Sequence, residues 1–124
     1  MELNPDVDLI INTADLTSEF RNFPIIMYRY GQERAKIEAQ RDLAEAKLKE
    51  VKALAYKKIK GNVAAKHTEK SMEAEIDTDP DVIAARVKLI QAEHNATSWN
   101  GAVESLRAKK DVLIQLGSDR RKEM

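Results

Sequence analysis

Two long stretches of this chain place apolar residues at helical spacing. From Phe23 the positions Phe23, Met27, Tyr30, Arg34, Ile37, Arg41, Ala44, Leu48, Val51 and Ala55 alternate in steps of four and three. That spacing is a heptad seam along one side of a helix. Pro24 suits its first turn, where a missing N–H costs nothing. Gly61 follows as a stop signal, so the spacing predicts a helix over about 24–60. The second seam runs through Val82, Ala85, Leu89, Ala92, Ala96, Trp99, Val103, Leu106, Lys110 and Leu113, and only Lys110 breaks it. Asp79 as a cap, Pro80 in the first turn and Asp81 at the positive helix end open this helix. Gly117 closes it, giving a second long helix over about 80–116.

Shorter elements fill the remainder. "TADLTSEFRNF" reads as a helix near 14–22, and "HTEKSMEAEI" as one near 68–76, capped by Thr68 and apolar at Met72 and Ile76. Residues 1–13 read as an extended arm. Gly101 inside the second long helix costs roughly 1 kcal/mol relative to Ala, and close helix approach beside Trp99 is the expected reason. The fold class is therefore all-α: two long antiparallel helices and two short ones in a single domain of residues 1–124, with 117–124 as a basic tail.

Such a hairpin leaves apolar flanks. Ile25, Ile26 and Leu43 lie off the first seam; Ile83, Val87, Ile90, Val112 and Leu116 lie off the second. Leaving a large apolar side chain wet forfeits roughly 1.5–3 kcal/mol. Self-association through Ile25, Ile26, Ile83, Val87, Ile90, Val112 and Leu116 resolves this, giving a helical homo-oligomer. The alternative is that the short helices and the arm fold back over the flanks. Arg34, Arg41 and Lys110 intrude on the seams and read as register-setting residues, with Glu38 and Glu104 as candidate ion-pair partners.

Composition agrees with long helices. Of 124 residues, 34% are charged and 5% aromatic, with four glycines. The absence of cysteine removes disulfides and thiolate metal sites. The acidic start "MELNPDVDLII" has no basic n-region, and no apolar run approaches the ~20 residues of a membrane span. The expectation is a cytoplasmic protein without membrane contact. Net charge is zero, yet it alternates: −4 over residues 1–22, +5 over 23–60, −3 over 61–79 and +2 over 80–124. A neutral total thus leaves room for a cationic face.

Enzyme chemistry finds little support. His67 and His94 have no nucleophile at a telling spacing. Asp77, Asp79 and Asp81 alternate as in a calcium loop, but such a loop needs Gly at its sixth position and Glu at its twelfth. Val82 and Lys88 stand there, so helix capping explains the acids. "NATS" at 95–98 falls mid-helix and reads as an accidental glycosylation match. No glycine-rich phosphate loop occurs. The reading is a non-enzyme without cofactor or metal.

Cations are the more informative feature. Lys57, Lys58, Lys60, Lys66 and Lys70 surround the end of the first long helix, with Tyr56 beside them and Tyr28 and Tyr30 at its start. Arg107, Lys109, Lys110, Arg120, Arg121 and Lys122 form the second cluster. Basic grooves with nearby aromatics suit single-stranded nucleic acid. Lys and Arg also belong at helix C-termini, where they offset the macrodipole, so each cluster alone also reads as a solvated helix end. Repetition around an oligomer strengthens the binding reading through avidity.

"KIEAQRDLAEAKLK", "EKSMEAEIDTDPDV" and "GAVESLRAKKDVLIQLGSDRRKE", in that order, resemble the UvsY-type recombination mediator family of bacteriophages. The likeness spans roughly residues 11–124. "IEAQ" at 37–40, "DPDV" opening a long helix that contains Trp99, and the closing "LRAKKDVLIQLGSDRRKE" carry it. The resemblance implies a small helical protein that forms a ring-like homo-oligomer and binds single-stranded DNA. It also implies that the protein helps load a RecA-like recombinase onto strands covered by single-stranded-DNA-binding protein, in the host cytoplasm. The resemblance implies basic residues a little beyond the "IEAQ" position; Lys47 and Lys49 are the nearest here, in a slightly different register. The candidate DNA-binding set is then Lys47, Lys49, Lys57, Lys58, Lys60, Lys66, Arg107, Lys109, Arg120 and Arg121. The alternative is a coiled-coil adaptor or virion assembly protein that does not touch DNA.

Overall fold

A computed structural model describes residues 2–61 and 69–123. The described residues form four helices and no strand: α1 (Pro5–Asp8), α2 (Leu16–Lys60), α3 (Glu69–Thr78) and α4 (Pro80–Glu123). The all-α expectation and the packing of two long helices on each other hold. The helix limits differ from those expected. The stretch near 14–22 is not a separate helix but the start of α2, and Pro24 lies inside α2. Gly117 likewise lies inside α4, which runs to Glu123, so 117–123 is helix rather than tail. The expected arm contains one short helical turn, α1. Thr68, His67 and Lys66 lie outside the described residues.

The chain divides into two compact units: residues 1–36 with 96–124, and residues 37–95. In the first unit, Asp15 caps α2. Its carboxylate accepts from the Ser18 amide at 3.2 Å and the Ser18 hydroxyl at 2.7 Å, the first of which satisfies an orphan donor of the first turn. Tyr30, Val103 and Leu106 form the buried centre, and Leu3, Leu9, Phe23, Ile26, Met27, Trp99 and Ala102 pack around it. The Tyr30 and Trp99 rings lie 5.7 Å apart at 52°, within the range of favourable tilted aromatic pairs. Phe20 approaches Gly117 while Tyr30 meets Trp99, so α2 and α4 run in opposite directions here. A Cβ at Gly117 would stand 3.1 Å from the Phe20 ring. This glycine serves close approach, not helix termination. Gly101 does the reverse of its expectation: no described neighbour lies within 4 Å of the position its Cβ would take.

The second unit is built from smaller side chains. Leu48, Val51 and Ala55 of α2 pack with Val82 and Ala85 of α4, and Ile76 and Leu89 close the cluster. The Asp79 cap is as the sequence predicts: its carboxylate accepts from the amides of Asp81 (2.9 Å) and Val82 (3.3 Å). Arg86 pairs with Asp77 at 2.9 Å and ties α4 to the end of α3.

Every residue of the first seam is buried or half-buried. The second seam holds with one change: Lys110 is exposed and Lys109 is buried in its place. Of the flanking residues, Ile25, Ile83, Val87, Ile90 and Val112 are exposed. Ile26 and Leu116 are half-buried, and Ile26 packs on the first unit's own core. That core, with Leu3 and Leu9 folded onto it, uses part of the flank assigned to self-association.

Candidate nucleic-acid interface

The expected DNA-binding cations separate by environment. Lys47, Lys49, Lys57, Lys58 and Lys60 are all exposed on the C-terminal part of α2. Lys47 approaches Glu50 at 3.7 Å, an exposed contact of the kind worth little. Lys60 sits 5.5 Å from the Tyr56 ring centroid, a cation–π distance. The side chains of Lys49, Lys57 and Lys58 have no hydrogen bond or ion pair among the described residues. Lys47 and Lys58 also border a shallow groove of the second unit whose other wall brings in Lys88 of α4, over a floor including Val51 and Ala85. Asp79 and Asp81 line the same groove, so its charge is mixed. Lys88 belongs to this arrangement, and nothing in its local sequence sets it apart.

In the first unit three of the expected cations, Lys109, Arg107 and Arg120, are engaged. Lys109 is buried, and its ammonium donates to the carbonyls of Asp8 (2.7 Å) and Ile10 (3.0 Å) and pairs with Glu19 at 2.9 Å. Three acceptors satisfy the three donors of a lysine, leaving none to meet a phosphate. Lys109 is a latch that pins the N-terminal segment to α4, not a DNA contact. Its burial is a matter of spacing: steps of three from Leu106 and four to Leu113 are as helical as the reverse steps through Lys110. Arg107 pairs with Glu104 at 2.7 Å. Arg120 donates to the Thr13 carbonyl at 2.7 Å. Arg121 is exposed without a partner among the described residues. Of the seam intruders, Arg41 pairs with its neighbour Asp42 at 3.3 Å and not with Glu38.

The aromatics divide similarly. Tyr28 and Tyr56 are exposed, and Tyr28 accepts from Gln32 at 2.9 Å. Tyr30 has no exposed surface and donates its hydroxyl to Asp8 at 2.6 Å, so it does not stack on bases. Burial first, then the hydrogen bond and the charge of Asp8, raises the Tyr30 phenol well above its ordinary range. Asp15 shifts the other way, lowered mainly by its two Ser18 hydrogen bonds.

Among the described residues no group of three or more His, Asp or Glu could hold a metal ion, and no helix is long and apolar enough to cross a membrane. Compared with known proteins, the chain matches no protein-family model, no curated protein and no solved structure.

Proposed function

We propose that this protein is a non-enzymatic single-stranded-DNA-binding mediator. It acts as a helical homo-oligomer and assists loading of a RecA-like recombinase onto strands covered by single-stranded-DNA-binding protein. The observation that carries the reading is the set of exposed lysines on α2, Lys49, Lys57 and Lys58 above all, which no described carboxylate neutralises. Lys47, Lys60 and the exposed Tyr56 extend the same stretch. Cations on a rigid helix track phosphates and leave bases free to be handed on. The exposed apolar residues Ile83, Val87 and Ile90 support assembly, which repeats the lysines and compounds weak contacts.

The same exposed residues favour a second reading, an assembly adaptor that never meets DNA. Fluorescence anisotropy with labelled oligo-dT at several salt concentrations separates the two. The mediator reading expects binding that weakens steeply with salt, because phosphate neutralisation releases counterions, and weaker binding to duplex. No binding at low salt leaves the adaptor. Light scattering coupled to size exclusion, with and without oligo-dT, reports the assembly itself.

A further inference from the structure

The first unit carries an apolar face that its own core leaves partly uncovered. Phe20 of α2 and Ile114 of α4 are 43% and 49% exposed, and both border two adjoining grooves in this unit. One groove has Phe23, Met27 and Leu113 along it, with Lys110 at its edge, and measures about 380 Å³. The other lies between Leu16 and Gly117, edged by Arg120 and Arg121, and measures about 460 Å³. Both fall within the ~300–1,000 Å³ of ordinary ligand pockets. The Phe20 ring is the ridge they share, and it lies against α4 because Gly117 has no Cβ to stop it. Counted along α2, the two lobes stand roughly 10 Å apart. That matches side chains two turns apart on a docked helix.

Charge selects the occupant. Lys110, Leu113, Ile114, Gly117 and Arg121 follow three-and-four spacing and so share one face of α4. Asp111, Asp119 and Glu123 turn away from it. Among the described residues no carboxylate lines either groove. Arg120 gives one N–H to the Thr13 carbonyl, and the side chains of Lys110 and Arg121 have no hydrogen bond or ion pair among the described residues. We propose that these paired grooves dock an acidic peptide segment of a partner protein. Two large apolar side chains would fill the lobes, with carboxylates held by Lys110, Arg120 and Arg121. Helix-in-groove recognition has this form: apolar anchors spaced along one face, specificity at the rim. Nucleic acid fits less well, since its phosphates suit the rim but nothing in it fills two aliphatic and aromatic lobes. The chain's own acidic, apolar segment "MELNPDVDLII" is an unsuitable occupant, because Lys109 and Tyr30 hold it elsewhere through Asp8. The proposal stands apart from strand binding, which rests on lysines of the second unit.

The test uses the full-length protein and a fluorescein-labelled 14-residue peptide of Glu, Asp and Ala carrying two Leu seven positions apart. One control replaces both Leu by Ala; another replaces the acids by Lys. Anisotropy is expected to show binding of the first peptide, at least tenfold weaker for either control. Arg121→Glu and Gly117→Leu should each weaken it at least tenfold, the latter by filling the space beside Phe20. Circular dichroism checks folding. Since Gly117→Leu presses on Phe20, the exposed Arg121→Glu is the deciding variant if Gly117→Leu unfolds. Oligo-dT affinity unchanged in Arg121→Glu supports separate sites. Three results overturn the proposal: no peptide binding at low salt, equal binding of either control, or loss of oligo-dT rather than peptide in Arg121→Glu. Release of smaller oligomers as peptide binds overturns it too, by showing a second copy in the grooves.

Discussion

The two units use the same kinds of residue to opposite ends. The first buries large side chains, Tyr30, Leu106 and Leu113 among them, and takes a lysine inside to hold its N-terminal segment. The second packs Val51, Ala55, Val82 and Ala85 and leaves Lys47, Lys49, Lys57, Lys58 and Lys60 exposed. A lysine is therefore not a binding residue by type or by cluster. What decides is whether backbone carbonyls and a carboxylate converge on it, as at Lys109, or whether no described side chain pairs with it, as at Lys57 and Lys58.

Substitutions can break or sharpen that contrast. The largest expected effect is Leu106→Ala, about 4 kcal/mol, because a fully buried leucine leaves a cavity its neighbours fill only partly. Leu48→Ala in the second unit should cost about 2 kcal/mol, since its neighbours are small and it retains some exposure. Urea melts followed by circular dichroism compare them, and equal losses would erase the difference between the cores. Between the two lies Lys109→Met, which orphans two carbonyls and leaves the Glu19 carboxylate with only the Asn12 amide. About 3 kcal/mol is expected, seen as a fall of roughly 10 °C in Tm, with oligo-dT affinity kept.

Charge reversal of Lys57 and Lys58 should do the opposite: stability within about 0.5 kcal/mol of the parent, but oligo-dT binding weakened at least tenfold and its salt slope reduced. Tyr30→Phe removes the hydroxyl bonded to Asp8 and should cost about 1–2 kcal/mol. It also changes the alkaline limb. The folded chain holds this phenol neutral beyond its usual range, so the unfolded chain ionises first. The stabilisation is whole below about pH 10 and declines above it, and Tyr30→Phe should lack that decline. Smallest is Asp15→Ala at the exposed cap. Its carboxyl is lowered in the fold, so its contribution is whole above the ordinary carboxylate range and fades as pH falls through the folded value. Thermal melts across the acid range should show a shallower fall for the variant.

Much of this architecture was legible in the sequence. Four-and-three spacing placed the α2 seam from Phe23 to Ala55 on the buried side, and Asp79 with Pro80 marked the start of α4. Pro24 and Gly117 misled for one reason. Both are local stop or start signals, whereas Leu16 before Pro24 and Tyr30 after it are buried on one helix, and Gly117 admits the Phe20 ring on the other; tertiary packing overrides punctuation. The latch was hidden differently. Lys109 and Lys110 are chemically alike at adjacent positions, and the acceptors that choose between them lie near the other end of the chain. The exposed lysines of α2 were legible as a cluster, but their lack of described carboxylate partners was not, because exposure and pairing depend on which side of the helix the fold covers.

Pro24 has a consequence for motion. Having no amide hydrogen, it returns no bond to the carbonyl of Phe20, so the ladder of α2 lacks one rung eight residues from its beginning. A ladder with a gap can open from its short side while the long side stays shut. In deuterium-exchange mass spectrometry the amides of residues 16–23 should therefore label well before those that follow, and an alanine at position 24 should bring the two rates together.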